Sequence, residues 1–308
     1  MNGTDAADTS RAGHDTTTRT LWTFPTTARE RAPLGRLLRS ELSLIFRRPR
    51  TLVVLGLLGM IPVIIGIALT VIDGPGGPPD GGTGGGNGDA LLTSAAGNAL
   101  VLPVAALMVS LSLMLPLATA MAGADAVAGE QTHGTLRGWL LAPVARGRVL
   151  LVKAVGVAAF ALVATLIMAL TGVLTGLLLN GTDSLFTLSG TTLSLPEALG
   201  RVLLTTVWVA VQLWAVGAVA LAISTTTEHP MIVLVSVLGG LVLFSVLSAL
   251  DALSWLHPLL LNTSWTALVD VLRDPLPLDG LGEGVLRAAC YAVIATSLAT
   301  ARILTRDG

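Results

Sequence analysis

Six uninterrupted apolar stretches, each about 20 residues or longer, are the dominant feature of this sequence. A helix rises about 1.5 Å per residue, so about 20 apolar residues cross a hydrocarbon core of about 30 Å. The stretches lie near residues 51–72, 99–122, 154–179, 202–223, 231–250 and 285–304. Inside lipid every backbone polar group needs an internal partner, and these runs lack the alternation of membrane strands. The sequence therefore predicts an all-α integral membrane protein with six transmembrane helices.

Composition agrees with this prediction and limits the available chemistry. Of 308 residues, 53% are hydrophobic and 12% charged, and the mean hydropathy of +0.79 is far above that of soluble proteins. The one cysteine, Cys290, leaves no disulfide framework and no Cys-based metal site. The four histidines are scattered, and no catalytic or nucleotide-binding motif is present. We therefore predict no catalytic residue, metal or cofactor in this chain, and no nucleic-acid partner.

The basic residues fall mainly on one side of the six-span topology. They precede span 1, lie between spans 2 and 3, and follow span 6, whereas the opposite side is rich in Asp and Glu. On the basic side are Arg29, Arg31, Arg36, Arg39, Arg47, Arg48, Arg50, Arg137, Arg146, Arg148, Lys153, Arg302 and Arg306. Lys and Arg near span ends are retained in the cytoplasm. This asymmetry predicts a multi-pass protein of the cell's inner or plasma membrane, with both termini cytoplasmic.

The connecting segments differ in kind. Residues 1–28 are Thr-rich and polar, which predicts a disordered cytoplasmic tail ahead of a transmembrane domain over 29–308. Residues 74–89, "GPGGPPDGGTGGGNGD", predict a flexible external linker, and no Lys-Ser/Thr pair follows to make them a phosphate-binding loop. Between spans 5 and 6 the chain is apolar but broken at His257 and Pro258. We predict there a re-entrant or interfacial segment.

An amphipathic helix is predicted immediately before span 1. In "ARERAPLGRLLRSELSLIFRRPR" the apolar residues recur at helical spacing and the arginines occupy the other face. The apolar residues are Leu34, Leu37, Leu38, Leu42, Ile45 and Phe46. Such a helix lies in the headgroup layer of a membrane, with lipid as its partner.

A short charged segment, "EQTHGTLRGWLLAPVARGRVLLVK" at 130–153, interrupts the apolar chain between spans 2 and 3. Leu136, Trp139 and Leu140 fall on one helical face with Arg137 opposite, and Pro143 ends the helix after about three turns. A stiff helix at the cytoplasmic surface is suited to be moved by a soluble partner. The alternative is that the loop is basic for topology alone, and Glu130 then only complements a helix dipole.

The order of residues in this segment resembles that of ABC-2 type transporter permeases. The resemblance rests on Glu130, Gly134, Thr135, Leu136, Leu140, Leu141, Pro143, Arg146 and Lys153, and it extends in architecture over about residues 30–306. It implies a permease half that pairs with a second permease half, identical or related, and with separate ABC ATP-binding subunits that bind ATP and Mg. It also implies that 130–142 is the coupling helix, with Glu130, Gly134, Thr135, Leu136, Trp139, Leu140, Pro143 and Arg146 contacting the ATPase.

Few polar groups lie within the predicted spans. Gln212 is the clearest, and it serves either the translocation path or an interhelical contact, of which the contact is favoured. Spans rich in Leu, Val, Ala and Thr suit export of a hydrophobic or amphipathic compound. An ATP-independent secondary transporter or channel is the alternative, against which the shortage of midplane charge argues. A membrane enzyme or structural anchor also remains open, and low Lys with abundant Arg, Ala and Gly suggests a bacterial source.

Overall fold

A computed structural model describes residues 34–72, 94–95, 98–129, 146–181, 185 and 187–305. The regular elements among these residues are all helical. In chain order they are α1 (Leu34–Arg47), α2 (Pro49–Ile72), α3 (Val101–Leu111), α4 (Met114–Ala124), a π-helical turn (Asp125–Gly129), α5 (Arg146–Asn180), α6 (Leu195–Ser224), α7 (Pro230–Ser248), two 3₁₀ segments (Asp251–Leu259 and Leu261–Leu272) and α8 (Asp279–Thr305).

The prediction of an all-α membrane protein is confirmed, with five to six candidate spans. Five helices, α2, α5, α6, α7 and α8, are long and apolar enough to cross a membrane. The sixth candidate combines α3 with α4 and the π-helical turn, and the two parts are bent by 56°. The predicted tail at 1–28 and the Gly-rich segment at 74–89 lie outside the described residues, and the position of α1 at a membrane surface stays a prediction.

The bend between α3 and α4 follows from Pro116. A proline inside a helix has no N–H, and its ring clashes with the carbonyl four residues earlier, which here belongs to Ser112. The helix breaks at that point: Leu113 has φ −150° and ψ −51°, outside the helical region. Regular bonding resumes at once, because the Leu117 N–H donates to the Leu113 carbonyl at 3.0 Å. The span predicted near 99–122 therefore consists of two short helices.

Helix α6 is the centre of the bundle. Of its most apolar stretch 67% is buried, against 17% for α7, and it packs against α4, α5 and α8. Close packing depends on glycine where α4 crosses α6: a Cβ on Gly123 would lie 2.8 Å from the Ala220 Cβ and 2.9 Å from the Gly217 carbonyl oxygen. Small residues permit such an approach. In lipid no hydrophobic drive exists between helices, so the van der Waals packing that this approach allows is what favours their association.

The two 3₁₀ segments occupy the region between α7 and α8. The chain turns at Leu260, which is extended with φ −76° and ψ 128°, two residues after the predicted break at His257 and Pro258. Arg201 of α6 holds the end of the second segment, since its Nη1 donates to the Val271 carbonyl at 3.0 Å and its Nη2 lies 3.1 Å from Asp274 Oδ1. Entry of these segments into a membrane stays a prediction.

Candidate functional site

Most of the predicted coupling segment lies outside the described residues. This applies to Glu130, Gly134, Thr135, Leu136, Trp139, Leu140 and Pro143, so their roles stay predictions. Arg146 is the first residue of α5, eight residues before the predicted start of span 3. The structure does describe both flanks of the loop 130–145, namely the π-helical turn and the start of α5. We call these flanks, together with the residues that hold them on α1, α2 and α6 (Glu41, Arg50 and Ser224), the loop anchor.

The first flank is fastened to the end of α6. Ser224 Oγ accepts a hydrogen bond from the Ala128 N–H at 2.9 Å and donates one to the Ala124 carbonyl at 3.1 Å. Ser224 is fully buried, and Ala126 to Gly129 are buried as well. A π-helical turn leaves backbone groups out of the α-helical pattern, and the Ser224 hydroxyl satisfies two of them. The last turn before the loop is thereby joined to the central helix.

An ion pair fastens the same turn to the start of α2. Arg50 Nη2 lies 2.5 Å from Asp125 Oδ2, and the side chains are 48% and 13% exposed. The short separation is that of a charge-assisted hydrogen bond. Solvent reaches the arginine, so its contribution to stability is small compared with that of a buried pair. The contact nevertheless makes α2 a second attachment for the loop's first flank.

A buried ion pair fastens the second flank to α1. Lys153 Nζ of α5 lies 3.5 Å from Glu41 Oε1 of α1, and the two side chains are only 6% and 5% exposed. Gly156 allows the helices this close, because a Cβ there would lie 2.8 Å from Ile45 Cδ1. Burying one such charge alone costs several kcal/mol, by order of magnitude, so the carboxylate of Glu41 depends on this ammonium.

Sequence reasoning missed Glu41, although a signal was present. Glu41 lies three residues after Leu38 and four before Ile45, on the apolar face of the predicted amphipathic helix. An acid on such a face is buried when that face packs, and it then needs a basic partner. Lys153 was noted only as a basic residue opening span 3. The pairing of the two was not predictable, because it depends on how α1 folds back on α5.

The loop anchor consists of ion pairs and hydrogen bonds. It joins the two ends of the loop 130–145 to α1, α2 and α6 through ion pairs and hydrogen bonds. Within the described ranges, no three His, Cys, Asp or Glu side chains are grouped so that they could hold a metal ion. The residues on both sides of the loop are thus attached to three other helices.

Gln212 lies far from the loop anchor, in the middle of α6. Its side chain is fully buried, and within the described part of the chain neither amide atom has a hydrogen-bond partner. Gly284 of α8 makes room for it, since a Cβ there would lie 3.1 Å from Gln212 Nε2 and 2.7 Å from the Trp208 ring. Whether Gln212 serves a transport path or helix contact stays a prediction.

These features define a polytopic helical membrane protein in which the flanks of the loop 130–145 are attached to neighbouring helices. The chain belongs to the ABC-2 family transporter proteins, whose family model matches residues 37–272. It is thus a membrane transporter subunit of the ABC-2 permease type. The match includes the loop 130–145 and all of the loop anchor. No curated protein sequence matches the chain significantly.

Proposed function

We propose that this chain is the permease subunit of an ATP-driven exporter whose ATP and Mg are bound by separate ABC ATP-binding subunits. Family membership supports this proposal, since permeases of this type act with such subunits. The loop anchor is the observation that carries it: a soluble motor bound to the loop 130–145 would pull on α1, α2 and α6 together. A loop that served only to retain basic charge would need no such attachments.

The composition of the spans favours a hydrophobic or amphipathic cargo. The predicted spans are rich in Leu, Val, Ala and Thr. Intramembrane charge is scarce, and secondary transporters of ions usually place ionisable groups at the midplane. The compound is therefore expected to be drug-like, antibiotic-like or lipid-like.

A second permease half and lipid would cover the exposed apolar faces. Only 17% of the most apolar stretch of α7 is buried, and added Cβ atoms on Gly239 and Gly240 would meet nothing within 4 Å. Helix α2 has a similar opening at Gly56. Small residues on such faces permit close helix contacts, so α2 and α7 are our proposed dimer contacts. The second half is identical or related to this chain.

Reconstitution tests the proposed function directly. The permease and the ATP-binding subunit encoded beside it would be placed in proteoliposomes with a fluorescent amphipathic cargo. We expect transport that needs ATP and is lost when the partner's catalytic carboxylate is removed. Transport by the permease alone under an ion gradient would instead support a secondary transporter, and passive ATP-independent flux would support a channel.

Orientation is a separate prediction. In a Cys290→Ser background, which removes the exposed native thiol, Gly84→Cys should react with an impermeant thiol reagent added to intact cells. Gly147→Cys should stay unlabelled until the cells are opened, because the basic side is retained in the cytoplasm. Gly147 suits this test because it is exposed at the start of α5 with nothing near an added Cβ. Labelling of position 147 alone in intact cells would invert the topology.

A further inference from the structure

A cavity of about 700 Å³ lies at the end of the bundle opposite the loop anchor. It is an open pocket, bordered by the two 3₁₀ segments, the start of α8 and Leu188. Its volume falls within the range of about 300–1,000 Å³ that is usual for small-molecule sites. Two acids and two arginines, Asp270, Glu283, Arg273 and Arg287, line it together with His257. This mixture of charges is unusual in a protein with so few of them.

Two of the four charges neutralise each other. Arg273 Nη1 lies 3.2 Å from Asp270 Oδ1, one turn apart on the same segment. Glu283 and Arg287 are also one helical turn apart, on the same face of α8, but no ion pair joins them in the described structure. Across that structure no other charged group pairs with either of them. The cavity therefore presents one negative and one positive group to an occupant.

Arg287 is held in place with most of its donors unused. Its Nη1 donates to the Leu260 carbonyl at 3.0 Å and to Thr263 Oγ1 at 2.6 Å. A guanidinium has five N–H donors, and in the described residues Nε and Nη2 of Arg287 have no acceptor. His257 adds a further polar atom, because its buried Nε2 has no hydrogen-bond partner among the described residues. Fixed donors of this kind are suited to an oxyanion such as phosphate or carboxylate.

Large apolar side chains are exposed at positions that directly follow or precede pocket residues in the chain, namely Ser254, Pro258 and Arg287. Trp255 is 71% and Leu259 is 60% exposed on the first 3₁₀ segment, and Leu286, next to Arg287, is 67% exposed. A polar cavity with an apolar margin fits a molecule that has a charged head and a hydrocarbon tail. A small soluble zwitterion would leave this margin uncovered.

We propose that this cavity binds the zwitterionic headgroup of an amphiphile, with its phosphate or carboxylate on Arg287 and its ammonium on Glu283. The ammonium would donate to the Glu283 carboxylate while the anionic oxygens accept from Nε and Nη2 of Arg287. The hydrocarbon tail would lie along Trp255, Leu259 and Leu286. This binding does not require ATP or a partner subunit, so it can hold or fail independently of the proposed transport function.

Calorimetric titration of the full-length protein in a maltoside detergent tests the proposal. The probes are dihexanoyl phosphatidylethanolamine, dihexanoyl phosphatidylglycerol, which lacks the ammonium, and phosphoethanolamine, which lacks the tails. We expect Glu283→Gln to weaken phosphatidylethanolamine binding about tenfold, as for a lost hydrogen bond to a charged group, and to leave phosphatidylglycerol binding unchanged. Arg287→Gln should weaken binding of both lipids.

Asp279→Asn is the matched control, because it removes an exposed acid from the same helix one turn away from Glu283 and outside the cavity lining. It should leave binding of both lipids unchanged. Glu283 makes no bond in the described structure, so Glu283→Gln should fold normally even if Arg287→Gln does not. Equal binding by Glu283→Gln and Asp279→Asn would overturn the proposal. Binding of phosphoethanolamine as tight as that of phosphatidylethanolamine would also overturn it, by showing that no amphiphile is selected.

Discussion

Trp139→Asp is expected to abolish stimulation of the ATP-binding partner while the permease is inserted and expressed at the wild-type level. If 130–142 is the coupling helix, the indole fills an apolar groove on the partner, and truncating such an anchor typically costs at least about 2 kcal/mol of binding. A buried, unpaired carboxylate costs more. Leu136→Asp should act in the same way. The measurement is ATP hydrolysis by the reconstituted complex, compared at equal permease content.

The controls separate coupling from topology. Arg146→Ala should have a smaller effect if that arginine only contacts headgroups, and Glu130→Gln keeps the shape while removing a charge. A loss of activity in Glu130→Gln would indicate an ion pair or helix-start interaction. Full stimulation and transport by Trp139→Asp, with all arginines in place, would leave the loop as a topological signal and contradict the coupling proposal.

Breaking the buried ion pair between Glu41 and Lys153 should destabilise the protein more than breaking the partly exposed pair between Arg50 and Asp125. Lys153→Met leaves the Glu41 carboxylate buried without this partner, and removing one member of a buried pair typically costs about 3–5 kcal/mol. We expect a markedly lower temperature at which the purified protein loses its monodisperse peak. Glu41→Gln should act similarly, because it leaves the Lys153 ammonium without this carboxylate.

A charge-reversed variant provides the matched control. Glu41→Lys combined with Lys153→Glu keeps two opposite charges in the same place and should recover part of the lost stability. Arg50→Gln breaks a pair whose arginine is 48% exposed and should cost at most about 1 kcal/mol. The proposal that this pair holds α1 against α5 would be wrong if Lys153→Met lowered the thermal stability no more than Arg50→Gln. It would also be wrong if charge reversal recovered none of the lost stability.

The spans were predictable because lipid imposes length and apolar composition on a helix together. Their ends were less so: α5 begins at Arg146 rather than near residue 154, since a helix may continue through polar residues once it leaves hydrocarbon. Pro116 was visible in the sequence, but whether a proline in a span kinks or breaks the helix depends on the packing around it. The 56° bend therefore required the structure.

The candidate site also has a part that could be predicted from the sequence and a part that could not. The coupling segment could be proposed from local residue order, because residues such as Leu136, Leu140 and Pro143 lie close together in the chain, and it stays a prediction. The contacts that anchor it join residues far apart in sequence, such as Ala128 with Ser224. Hydrophobic periodicity does not predict which distant residues will pair. Only Glu41, an acid on an apolar helix face, indicated from the sequence that it needed a basic partner elsewhere in the chain.

Helix α5 is longer than a membrane crossing requires. Its 35 residues measure about 52 Å, roughly 20 Å more than the hydrocarbon core. The eight residues Arg146–Lys153 contribute about 12 Å of this excess at the end next to the loop. This part of α5 is packed and not free-standing, because Leu150 and Val152 are buried and Lys153 is paired with Glu41 of α1. If an ATP-binding subunit binds the loop, as we propose, α5 would carry a displacement of the loop directly to this ion pair, about two helical turns into the helix.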